Sequence, residues 1–194
     1  MESTRVSLIL RLKDADDVIA WEEFTAIYSP VIYRVAIKRG LQAADAENIV
    51  QEVFAAVIRS VSQWLERENR GKFRAWLLRI THNESINLMT RKATRPLGKG
   101  GDAAYQLMEQ IPASTKLEEM FETEYQNSVF QWASDQVKNS VTKLNWQAFW
   151  MTSIEGVTVD KVTQSLGMSR GQVYTAKSRV MAKIKKRVKQ FETE

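Results

Sequence analysis

A chain of 194 residues and 22.3 kDa has room for one compact domain or two small ones, and too little for a large multidomain enzyme. Its 44% hydrophobic and 26% charged residues, with six Trp, seven Phe and five Tyr, exclude disorder throughout, while only eight Gly and three Pro argue against a turn-rich β fold. The lack of cysteine removes disulfides, thiolate metal sites and cysteine nucleophiles, and residues 1–13 mix charge into a short apolar run, so neither a secretory signal nor a membrane span is expected and the protein is read as cytoplasmic and all-α.

The first predicted helix follows Asp14, Asp16 and Asp17 and carries Ile19, Phe24, Ile27, Tyr28, Ile32, Val35 and Ala36 at three- and four-residue spacings, with Pro30 as a bend or break and Gly40 as its stop. A second runs through Ile49, Val53, Val57, Ile58, Val61, Trp64 and Leu65, its opposite face polar at Asn48, Gln51, Glu52 and Arg59. After the polar stretch 66–71 a third spans Phe73 to Met89. Between 93 and 116 two prolines and three glycines erase the periodicity, which reads as a flexible linker. Helical spacing resumes at Leu117 and leads through an aromatic group, Trp146, Phe149 and Trp150, to a turn at 155–157. Thr158 then starts a short helix that Gly167 stops, and Ser169 caps a last helix reaching Phe191. The expected architecture is two small helical domains, 1–92 and 117–194, on either side of the linker 93–116.

Charge is distributed in blocks: −3 over residues 1–66, +7 over 67–99, −5 over 100–124 and +6 over 125–194. Two basic blocks separated by an acidic connector suit two contacts on one long polyanion. Residues 158–187 have the proportions of a helix-turn-helix whose second helix opens with Ser169, Arg170, Gln172, Tyr174 and Thr175, followed by Lys177 and Arg179, side chains able to meet base edges or phosphates. In the other basic block Arg67, Arg70, Arg74 and Arg79 lie near Trp64, Phe73 and Trp76, with Asn83 and Asn87 beyond, a mixture suited to an opened strand. Helical spacing assigns Phe73 and Trp76 to a core and leaves Trp64 as the candidate exposed ring. A single histidine, His82, and an acidic cluster at Glu118, Glu119 and Glu122 form no acid–base or metal constellation, and no phosphate-cradling glycine motif is present. No enzyme activity, catalytic residue, metal or cofactor is expected.

The run Asp45 to Phe54, with Ile49-Val50-Gln51-Glu52 at its centre, followed by Gly71 to Ile80 and Asn83, resembles conserved region two of bacterial sigma factors of the extracytoplasmic-function type in the sigma-70 family. Gly156 to Arg179 resembles region four of the same family, in the same order and at a similar separation. The resemblance implies a sigma factor that binds core RNA polymerase and directs promoter-specific initiation without catalysis of its own. Residues 1–92 would be region two and 117–194 region four. Asn48, Gln51 and Glu52 would dock on the polymerase clamp; Trp64, Arg67, Arg70, Arg74, Arg79, Asn83 and Asn87 would engage the minus-ten element; the helix opening at Ser169 would lie in the major groove of the minus-thirty-five element. The resemblance also allows an anti-sigma partner, and no appended sensory domain is expected.

Three positions depart from the family pattern. Asn48 stands where an acid is usual, Tyr174 where a base is usual, and Ala176 where Arg is usual, so the promoter sequence does not carry over from relatives. A second reading, a stand-alone two-domain regulator, would use the same helix-turn-helix but has no need of the Asn48 to Glu52 face.

Overall fold

A computed structural model describes residues 5–93 and 114–193. Every element among them is a helix: α1 (Val6–Arg11), α2 (Val18–Lys38), α3 (Ala43–Glu66), α4 (Phe73–Ala93), α5 (Thr115–Lys138), α6 (Lys143–Ser153), α7 (Val159–Leu166) and α8 (Arg170–Thr193). None is long and apolar enough to cross a membrane. Most of the expected linker lies outside the described residues. The chain divides into two compact units, Met1–Ser128 and Val129–Glu194.

In the first unit α3 packs against both α2 and α4, and α1 against α2. Phe24 is fully buried at the centre, with the rings of Tyr28, Phe54, Trp21 and Phe73 at 4.8, 5.3, 5.6 and 6.1 Å. Asp17 caps α2 by accepting from the Ala20 N–H at 3.0 Å, and it also accepts from Arg11 at 2.6 Å. The Arg11 contact first, then the Ala20 N–H, hold its carboxyl below the usual range. Helix α1, absent from the sequence reading, is only six residues long. It persists because Leu8, Ile9 and Leu12 are buried and Arg5–Glu23 and Arg11–Asp17 tie its two ends to α2.

Pro30 sits inside α2 without ending it, and the helix runs on to Lys38. Ile19 and Ile58, both expected on buried stripes, are exposed. Ile58 lies four residues before the exposed Ser62 and seven after the exposed Gln51, on the polar flank of α3, and Ile19 is one position off the Ala20–Phe24–Ile27 face.

The division between units falls within α5. Leu117, Phe121 and Tyr125, spaced by four, are buried, and Tyr125 stacks on Tyr28 of α2 with centroids 5.7 Å apart. The sequence reading starts the second domain at 117, whereas residues 115–128 belong to the first compact unit.

The second unit is built on the packing of α6 against α8, with α7 touching both. Ala133, Val137, Phe149, Val180 and Ile184 form one core cluster, and Ala148, Val162, Met168, Val173 and Ala176 another beneath the α7–α8 turn. Gly167 ends α7 at φ +65°, and the N–H groups of Gly167 and Met168 both donate to the Thr163 carbonyl. A glycine suits this place for its left-handed backbone, since an added Cβ would meet nothing within 4 Å.

Candidate functional site

Asn48, Gln51 and Glu52 are all exposed on α3, while Ile49, Val53 and Val57 on the adjoining face are buried. The helix period of 3.6 produces this separation without help from neighbours. Gln51 lines two depressions. One, about 150 Å³, is shared with Asn48, Glu52, Glu84 and Arg91 of α4; the other, an open groove of about 590 Å³, is shared with Pro30, Tyr33, Arg34, Glu47 and Val50. The face is thus a joint surface of α2, α3 and α4. Sequence reasoning misses Tyr33 and Arg34, because their place beside Gln51 is a fact of packing with no local signal.

The loop between α3 and α4 closes on itself. Trp64 Nε1 donates to the Arg70 carbonyl at 3.0 Å, Arg70 Nη1 donates to the Leu65 carbonyl at 2.8 Å, and the Arg70 guanidinium lies 5.4 Å from the Trp64 ring centre. Gly71, at φ +68°, lets the chain turn back into α4. The expectation of an exposed Trp64 ring is overturned: only 4% of the residue is accessible, stacked on Trp76 at 5.2 Å and edge-on to Phe73 at 5.5 Å. Phe73 and Trp76 are buried, as the spacing predicts. The loop nevertheless encloses a cavity of about 180 Å³, lined by Arg67, Asn69, Arg70, Lys72 and Arg79 around the two indoles. The chemistry is that of a small aromatic-floored, cationic recess, suited to a flat, electron-rich group attached to phosphate.

Two other residues of this block point elsewhere. Arg74 is 1% exposed: its guanidinium lies 4.0 Å over the Tyr125 ring and pairs with Glu122 at 3.3 Å, so it joins α4 to residues 122–125 within the first unit and is no outward phosphate contact. Glu122 therefore does more than solvate a helix start. Glu124, also buried, pairs with Arg34 and Lys38 at 3.5 and 2.5 Å. Asn83 is 2% exposed, while Asn87 is half-buried, so the two do not form one outward pair. His82, one position from Asn83, is half-buried, and burial first, then the Arg39 charge, lowers its pKa below the ordinary value.

In the second unit Ser169, Arg170, Gln172, Tyr174, Thr175, Lys177 and Arg179 are all exposed, with Tyr174 at 59%. Val173, Ala176, Val180 and Ile184 hold the opposite side of α8 in the core. The helix opens with a capping box: Gln172 N–H donates to Ser169 Oγ at 3.3 Å, and Ser169 N–H donates to Gln172 Oε1 at 2.7 Å. Arg170 pairs with Asp160 of α7. Helical spacing sets Arg170, Tyr174 and Lys177 along one flank and Gln172, Thr175 and Arg179 along the other, with the small Gly171 and Ser178 between them. A ridge of this shape enters a groove with side chains reaching to both walls.

Comparison with known proteins bears on the first unit and on the chain as a whole. The family model for sigma-70 region 2 matches residues 25–95, which hold most of α2, all of α3 and α4 and the aromatic loop. The chain is 25% identical over 155 residues to the ECF RNA polymerase sigma factor SigE of Mycolicibacterium smegmatis (strain ATCC 700084 / mc(2)155). That similarity covers 79% of this chain and 56% of the relative, so the chain spans little more than half the length of the curated protein it matches. Residues 25–95, which carry the exposed α3 face and the cationic aromatic loop, thus match sigma-70 region 2, and the chain as a whole is similar to a sigma factor of the extracytoplasmic-function type.

Proposed function

We propose that the protein is a sigma factor: it binds core RNA polymerase and directs promoter-specific initiation, itself without catalysis. The observation that carries the reading is the exposed Asn48, Gln51 and Glu52 face within a matched region 2, whose residues contribute nothing to the core and form one continuous surface with Tyr33 and Arg34. A regulator acting alone has no use for such a face.

Promoter contact divides between the units. The recess under Arg67, Arg70 and Arg79 takes an unstacked base of the minus-ten element, with Trp64 and Trp76 as its floor and the cations on the flanking phosphates. Asn87 lies on the same helix beyond it. Helix α8 enters the major groove of the minus-thirty-five element, Arg170, Gln172 and Tyr174 toward base edges and Lys177 and Arg179 toward the backbone, with Ser169 and Thr175 at the groove wall. Residues 1–92 act as region two, and region four is the part of 117–194 that forms the second compact unit. The polymerase-binding face is also where an anti-sigma protein would cover the chain.

The test is reconstitution. Core polymerase with the purified chain should initiate at discrete sites on a genomic template, where core alone does not. Tight, sequence-specific duplex binding by the chain alone at physiological salt, with no effect on core polymerase, would show the stand-alone regulator instead.

A further inference from the structure

Asp160, near the start of α7, and Arg170, the first residue of α8, meet across the helix-turn-helix turn. Arg170 Nε donates to Asp160 Oδ1 at 2.7 Å, and Nη2 lies 2.5 Å from the same oxygen. A guanidinium carries five N–H donors in a rigid fork. This contact uses one edge, Nε and one hydrogen of Nη2. The two hydrogens of Nη1 and the second of Nη2 remain, spaced for the O6 and N7 acceptors of a guanine.

The two side chains are 69% and 61% exposed, so their pair adds little to fold stability. Its effect is on order. An arginine at the head of a helix has many rotamers, and holding one of them before DNA arrives removes part of the entropy cost of binding. The same turn shows a second restraint of this kind. Gln172 Oε1 accepts from the Ser169 N–H, which fixes the side chain's rotamer and leaves its amide N–H groups unused by the cap. Bidentate reading of adenine by Gln172 would have to share that oxygen between the base and the Ser169 N–H, within the rotamer the cap fixes. Both side chains of the first turn are therefore held in one rotamer by the turn itself.

We propose that Asp160 is a positioning residue for sequence reading: it holds Arg170 by one edge so that the other edge donates to a guanine in the major groove. The proposal rests on the sigma-factor reading for its DNA target. It is tested with holoenzyme reconstituted from core polymerase and the full chain, transcribing templates randomised across the upstream promoter element. The variants are Arg170→Ala, Asp160→Ala, Asp160→Glu and the double alanine.

Arg170→Ala should lose about 10-fold of guanine-over-adenine preference at one position. Asp160→Ala should lose several-fold of the preference at that same position, and the double variant should lose no more than Arg170→Ala alone. Asp160→Glu should recover part of it. Melting of Asp160→Ala should stay near that of the parent; if it does not, Asp160→Asn, which keeps the shape and removes the charge, should show the same loss in smaller measure. A preference altered by Arg170→Ala and untouched by every Asp160 variant would overturn the positioning role and leave DNA reading by α8 standing. Asp160→Ala that raises output equally on all templates would show a mere repulsion of phosphate and overturn it too. A parent holoenzyme with no preference anywhere in the element would remove the promoter-reading role of α8 and the proposal together.

Discussion

The basic residues of the two candidate contact surfaces are placed differently. In the first, the cations nearest the aromatic rings are held by the protein itself: Arg74 lies over Tyr125 and against Glu122, and Arg70 is bonded to the Leu65 carbonyl beside Trp64. In the second, α8 leaves Tyr174, Lys177, Arg179 and the Asp160-paired Arg170 exposed and buries Val173, Ala176, Val180 and Ile184. The difference teaches that a basic and aromatic sequence block is a mixture of scaffold and contact surface. Only packing sorts them. The residues proposed for contact in the first unit stand on a core they help to build, whereas those proposed in the second are added to a core complete without them.

That contrast predicts coupled losses in the first unit and separable ones in the second. The largest effect should come from Trp64→Ala, which removes a buried indole between Phe73 and Trp76. It should destabilise the first unit by about 3 kcal/mol or more, read as a lowered urea midpoint, and it should weaken promoter opening. Arg74→Ala should follow at about 2–3 kcal/mol, because it leaves Glu122 without its partner and Tyr125 without its cation. Unchanged stability in either variant would place these side chains on the surface and break the comparison.

Ser169→Ala should cost the second unit about 1 kcal/mol through the lost Oγ cap, and because residue 169 keeps the N–H that holds Gln172 Oε1, thermal melting should fall while base preference stays. Gln51→Ala with Glu52→Ala should change stability by less than about 0.5 kcal/mol and yet lower affinity for core polymerase, measured by co-sedimentation or fluorescence titration. The α3 face of the first unit is in this respect like α8. Normal polymerase affinity in that double variant would remove the docking assignment.

The smallest effect concerns pH. His82 is held below its ordinary pKa of 6.5, so the unfolded chain takes up a proton before the folded one does. The contribution to stability is complete above about pH 6.5 and declines as pH falls through the folded value. Urea melts between about pH 7.5 and 5.5 should show a decline in the parent that His82→Gln flattens. An identical decline in both would assign it to other groups.

Much of the site was legible because local rules govern it. The 3.6-residue period alone separates Gln51 and Glu52 from Ile49 and Val53, and Arg170, Tyr174 and Lys177 from Val173 and Val180. Gly167 as a stop and Ser169 as a cap are matters of backbone and of one side chain three residues away. The family resemblance drawn from Asp45 to Phe54 and Gly71 to Ile80 lies within the matched region 2.

What the sequence by itself determined is therefore what a single helix determines: the helical class, which faces of α3 and α8 are polar, and the turn between α7 and α8. Tertiary structure alone decided which cations face outward and where the first unit ends. Nothing local to Arg74 announces Glu122, 48 residues later, and nothing local to Tyr28 announces Tyr125. Helix α1 forms because Glu23 and Asp17 meet its arginines and α2 offers a surface to Leu8 and Leu12. Such contacts join residues far apart in the chain, and no propensity or period carries information over that distance.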